Sequence, residues 1–164
     1  MKRLILMRHA KSDWSAGASS DHDRPLNARG QRGATALGVA LREKAIMPDQ
    51  ILSSTALRTR ETCEFLGLDG SPEVSFQRGL YLATQDEIFG ALQRAIGDVV
   101  LMLGHNPGIA IAASQFVDCV PDHPRFDDYP SGATLVVDFD IGEWEAVGWQ
   151  SGKVADFFTP HDFT

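Results

Sequence analysis

Two short apolar runs, each ending abruptly in polar residues, set the terms for this chain. LILM at residues 4 to 7 stops at Arg8-His9, and VVLMLG at residues 99 to 104 stops at His105. Neither run alternates with polar residues, so both of its faces need cover. A run of strand length that is apolar throughout is expected in the interior of a parallel sheet flanked by helices.

The rest of the chain supplies the helices. Asn27 precedes apolar residues at helical spacing, Ala34, Leu37, Ala40 and Leu41, which predicts a helix over 28 to 44 with Pro48 beyond its end. A strand is expected at Ile51 to Ser53. A second helix is expected through Leu57, Thr62, Phe65 and Leu66, with Gly67 as its stop. EVSF reads as a short strand, and Thr84 with Asp86 and Glu87 opens a third helix. A small-residue helix follows from Gly108 to about Val117, and 119 to 131 reads as loop. TLVVDFD and EWEAVGWQ look like the arms of a hairpin turning at Ile141 and Gly142, ahead of an irregular tail. Alternating strands and helices predict an α/β fold, a three-layer α/β/α sandwich with a mostly parallel central sheet. At 164 residues, one domain over 1–164 is expected.

In such sheets ligands collect beyond the carboxyl ends of the strands. Arg8, His9 and His105 all leave strands at that end, and Arg58 sits on the first turns of the second helix. Two arginines offer permanently charged planar forks for phosphate oxygens. A neutral histidine whose far nitrogen is fixed by a hydrogen bond can act as a nucleophile. The constellation therefore points to phosphoryl chemistry. Net charge is −7, with 15 basic against 22 acidic side chains, which opposes nucleic acid and anionic membrane as partners and makes any anion site a local exception. No apolar run has the length of a membrane span, and a cytoplasmic protein is expected. Cys63 and Cys119 lack metal or redox spacing and are expected to be free, buried thiols. His22, His123 and His161 do not have the spacing of a metal site, and Trp144 and Trp149 are expected to pack.

Arg8-His9-Ala10, SSTALRTRET around Arg58, and Gly104-His105-Asn106-Pro107 together resemble the defining motifs of the histidine phosphatase superfamily, the phosphoglycerate mutase-like fold. RHAKSDW, DRPLN with Gly30, LYLA, GHNPG and SGATLVVDFD are similar to the small SixA-type phosphohistidine phosphatases. The resemblance implies a hydrolase, a phosphatase in which His9 attacks phosphorus and becomes a phosphohistidine. Arg8, Arg58 and His105 hold the equatorial oxygens, and water then releases inorganic phosphate. It implies no cofactor and no metal. The substrate would be phosphohistidine in a phosphorylated protein or a small phosphoester, and the short chain disfavours a mutase. A non-catalytic phosphate- or phosphohistidine-binding module is the alternative.

Around these four, Ser12 and Ser15 either contact phosphate or serve only the loop, and Asn106 either contacts substrate or shapes its turn. Lys11 and Arg24 either hold substrate or balance nearby acids, and Arg58 could instead pair with Glu61 or Glu64 on its own helix. Two departures from the family pattern stand out. Ser54-Thr55 replaces the usual Ser-Pro, and the acidic segment that carries a general acid in larger members has no counterpart. Asp13, Asp21 and Asp23 on the loop after the first motif, and Asp86 and Glu87, are the only candidates. A missing acid favours a leaving group that departs easily, such as the imidazole of phosphohistidine.

Overall fold

The computed structural model describes residues 1–163. Six strands, β1 Lys2–Arg8, β2 Gln50–Ser54, β3 Glu73–Gln77, β4 Val99–Gly104, β5 Thr134–Phe139 and β6 Lys153–Phe158, join one sheet in the order β3-β2-β4-β1-β5-β6. Four helices, α1 Ala28–Glu43, α2 Leu57–Leu66, α3 Gln85–Gln93 and α4 Gly108–Phe116, lie between the strands. β1, β2, β3 and β4 pair in parallel, and β5 is antiparallel to both its neighbours, so it alone runs against the rest. The fold is the expected α/β sandwich around a mostly parallel sheet.

The apolar runs do what their composition requires. In β1, Leu4 and Leu6 face one layer and Ile5 and Met7 the other, and in β4 Val100 and Met102 divide from Leu101 and Leu103 in the same way. Leu37 and Leu41 of α1 and Leu66 of α2 cover one side of the sheet. Ile88 and Leu92 of α3, with Ile109 and Phe116 of α4, cover the other. Each such side chain, buried in full, contributes roughly 1.5–3 kcal/mol. The helix starts follow their caps: Asn27 accepts from the Gly30 N–H, and Thr84 and Glu87 form a reciprocal capping box. α1 and α2 approach so closely that a Cβ on Gly38 would lie 1.9 Å from the Leu66 carbonyl oxygen. Only glycine fits there.

The expected hairpin is wrong in its second arm. EWEAVGWQ is not a strand; Trp144–Ala146 is a single 3-10 turn, and the partner of β5 is Lys153–Phe158, in the segment expected to be irregular. The apolar residues of EWEAVGWQ serve packing instead. The Trp144 indole is buried, stands edge-on to Phe139 and donates to the Gly97 carbonyl oxygen. Cys119 is exposed rather than buried, because it follows the end of α4 in a turn, and Cys63 is half-buried; both are free. No helix among the described residues is long and apolar enough to cross a membrane.

Candidate active site

The sheet topology brings the two chemistry-bearing strand ends together. β4 lies between β1 and β2, with Arg8 in register with Gly104, and the His9 N–H continues the ladder by donating to the Gly104 carbonyl oxygen. The rings of His9 and His105 are therefore 5.3 Å apart, centre to centre. β2 hands the chain to α2, whose first turn buries Arg58 to 3% exposure. Thr62 fixes this junction, since its hydroxyl accepts from the Ala10 N–H and donates to the Arg58 carbonyl oxygen.

The result is a cavity of about 330 Å³ whose lining includes Arg8, His9, Ser12, Arg24, Arg58, His105 and Asn106, together with Lys11, Trp14, Asp21, Leu82 and Ser131. His9 Nδ1 lies 2.7 Å from the Ala10 carbonyl oxygen. A carbonyl can only accept, so the proton sits on Nδ1 and the lone pair stays on Nε2. Burial, with the nearby arginines adding to it, pushes the His9 pKa down to about 3. The ring is neutral near pH 7. His105 is likewise pushed down to about 3, by burial first and then by His9 and Arg58. Its Nε2 is 2.8 Å from the Ser54 hydroxyl, which also accepts from the Ala56 N–H. Arg8 donates to the Tyr129 carbonyl oxygen, and burial and Arg58 push its very high pKa down; a guanidinium remains charged regardless.

Among the described residues, the buried side-chain polar atoms that lack a hydrogen-bond partner are Arg8 Nε, Arg58 Nε, His105 Nδ1 and Asn106 Oδ1. All four belong to residues lining this cavity. A buried polar atom left unpaired costs about 1–3 kcal/mol, and the gathering of all four at one cavity makes that cavity the candidate site.

Arg58 pairs with neither Glu61 nor Glu64. Its two terminal nitrogens reach the backbone oxygen and carboxylate of Asp21, at 2.8 and 3.1 Å, while Glu61 accepts from the Leu26 N–H. Asp21 also takes Arg24 and the Tyr81 hydroxyl, the latter at 2.5 Å, and these bonds, Tyr81's above all, hold its carboxyl down at about 2. Of the five acid candidates Asp21 alone lines the cavity, and it is a carboxylate. Asp13 is tied to Ser15, Asp23 to Ser19 and Ser20, Glu87 to its helix cap, and Asp86 is exposed. Ser15 points to Asp13 and is not among the cavity residues, whereas Ser12 lines the cavity and accepts from Arg24. Asn106 lines it too, with its amide donating to the carbonyl oxygens of Asp128 and Tyr129. Where the family pattern has proline, the Thr55 hydroxyl lies 2.8 Å from His22 Nε2 and so tethers the loop that carries Asp21.

Sequence reasoning missed Tyr81, Ser54, Thr62 and Tyr129 as supports of the site. Tyr81 lay within a quoted motif, but nothing local shows that its hydroxyl meets Asp21 sixty positions away. Among the described residues no cluster of three or more His, Cys, Asp or Glu side chains could hold a metal ion.

The α/β sandwich carries paired histidines and arginines beyond the carboxyl ends of its strands, where folds of this class bind ligands. Comparison with known proteins narrows the class. The family model of the histidine phosphatase superfamily, branch 1, matches residues 4–81. A solved structure from Nakamurella multipartitia, described as a candidate phosphohistidine phosphatase SixA, superposes with a TM-score of 0.83 at 30% identity, covering 97% of this chain and 96% of that one. The protein histidine phosphatase SixA complexed with tungstate has the same fold, with a TM-score of 0.80 at 19% identity over 99% of both chains. An uncharacterized protein of Mycobacterium tuberculosis is 32% identical over 162 residues, 94% of this chain and 99% of its own length. The chain belongs to the histidine phosphatase superfamily and is of the SixA type.

Proposed function

We propose that the protein hydrolyses phosphohistidine in a phosphorylated protein, or a small activated phosphoester, through a covalent phosphohistidine on His9. The observation that carries this reading is the state of the His9 ring, neutral, with Nδ1–H tied to the Ala10 carbonyl oxygen and the Nε2 lone pair left free in an arginine-lined cavity. Nε2 attacks phosphorus, the N–P bond forms as the bond to the leaving group breaks, and the Nδ1–H···O=C bond strengthens as the ring gains positive charge. Arg8, Arg58 and His105 face the three equatorial oxygens, where charge accumulates. The Ser54 oxygen takes the Ala56 N–H and its hydroxyl donates to His105 Nε2, which puts the His105 proton on Nδ1, the nitrogen with no other partner. Water then attacks phosphorus, the new O–P bond forms as the N–P bond to His9 breaks, and inorganic phosphate leaves with both water protons while the neutral His9 ring is regenerated.

The leaving group decides the substrate. General acid help to an alkoxide is worth roughly 100- to 10,000-fold, and the carboxyl at the cavity, Asp21, carries no proton at neutral pH. An imidazole leaves without that help more readily than an alkoxide does. Phosphate release should therefore be faster from phosphohistidine than from an alkyl phosphate such as glycerol phosphate, with EDTA present, and His9→Ala should lower both by at least about 1,000-fold while inorganic phosphate still binds. Wild-type protein that binds phosphate and turns over neither compound would replace this reading with a binding module.

A further inference from the structure

Next to the catalytic cavity lies a larger groove of about 490 Å³, and Lys11 and Ser131 line both. Its cations come from separate parts of the chain: Lys11 after β1, Arg29 and Arg32 from the first two turns of α1, and Arg125 from the loop before β5. Arg125 is paired with Asp128. Among the described residues, Lys11, Arg29 and Arg32 take part in no ion pair, and all three are exposed.

No acid is among the residues lining this groove, which makes it a local cationic exception in a chain of net charge −7. The position of Arg29 and Arg32 is also unfavourable for the fold. The first turn of α1 holds no acid, and cations near a helix N-terminus oppose its dipole. The approach is tight, since a Cβ on Gly30 would lie 2.0 Å from the Lys11 carbonyl oxygen. α1 is thus pressed onto the chain that leaves His9, which places Arg29 and Arg32 in one groove with Lys11, a residue that also lines the catalytic cavity.

We propose that this groove docks an acidic segment of a protein substrate, the stretch flanking the phosphorylated residue, while that residue enters the His9 cavity. The proposal rests on the reading of the protein as a phosphatase of phosphorylated proteins. A second phosphate of a small molecule fits less well. Fixing a phosphate calls for buried forks, as at Arg8 and Arg58, whereas exposed, adaptable cations suit carboxylates spread along a chain. The shared Lys11 makes the two sites continuous.

The test uses a fluorescently labelled Asp/Glu-rich peptide without phosphate, with a Lys-rich peptide as control, and compares wild type with Arg29→Glu/Arg32→Glu. Both substituted residues are exposed and lie outside the catalytic cavity. The acidic peptide should bind wild type roughly tenfold more tightly than the variant, and the gap should close as salt rises from about 0.05 to about 0.5 M. In turnover of a phosphohistidine peptide with an acidic flank, the variant should lose a similar factor in kcat/KM through KM, with free phosphohistidine hydrolysed as by wild type. Equal peptide binding by the two proteins overturns the groove. A variant that also loses activity on free phosphohistidine overturns it too, because its cations would then serve the reacting phosphate. Failure of the function reading is a separate result: wild type hydrolyses no phosphohistidine substrate, and the binding arm alone then decides the groove.

Discussion

Two histidines kept neutral 5.3 Å apart impose a cost that grows as the medium is acidified. In the unfolded chain each ring takes up a proton as pH falls through about 6.5, while in the folded protein each resists until about 3. Between those values the unfolded state binds more protons, so stability is full above pH 6.5 and is lost as pH falls toward 3. By pH 4.5 each ring should account for a loss on the order of 2 kcal/mol. Urea midpoints at pH 7 and 4.5 should therefore fall less in His9→Asn/His105→Asn than in wild type, and equal falls would mean that the rings are not held neutral by burial. The residues with the sharpest chemical identity were legible in advance: Arg8, His9, Arg58 and His105 meet at one cavity as their strand-end and helix-start positions implied. Asp21 was not legible as a partner of Arg58. Its contacts depend on where a loop of Ser, Gly and Asp comes to rest, and no local periodicity encodes that.

At the level of the elements, close packing imposes its own requirements. Gly38 lets α1 press against the last turn of α2, and an alanine there would drive its methyl into the Leu66 carbonyl oxygen. Gly38→Ala should cost about 1–3 kcal/mol despite the better helix propensity of alanine, read as a drop in Tm; an unchanged or higher Tm would show that the helices can part at little cost. Helix starts were legible because their caps are local chemistry, as at Asn27 and Thr84. The last strand was not. KVADFF buries only its final two residues and presents exposed or half-buried side chains before them, so its pattern is faint, while the aromatic EWEAVGWQ imitated a strand more strongly than the strand itself. Pairing with β5, a property of the assembled sheet, decided between them.

Over the whole molecule, the apolar strands were the most legible feature because covering both faces of β1 and β4 admits few architectures other than helices on either side. The net charge of −7 and the cationic site are likewise two parts of one charge distribution, with Arg8, Lys11, Arg24, Arg29, Arg32, Arg58 and Arg125 lining two adjoining cavities of an otherwise acidic chain. Its three indoles are distributed just as unevenly. Trp144 is buried and Trp149 packs at a tilt against Phe89 and Phe116, whereas Trp14 is 77% exposed and covers the Arg24 guanidinium at 3.4 Å. Emission at the red edge of the spectrum should therefore come from Trp14, and inorganic phosphate entering the cavity that Trp14 and Arg24 both line should change its intensity. Trp14→Phe should abolish that response and leave the blue emission of the other two, while a response that survives would have to originate elsewhere. The cation–π contact beside the cavity thus makes the protein its own optical sensor of site occupancy, with no label attached.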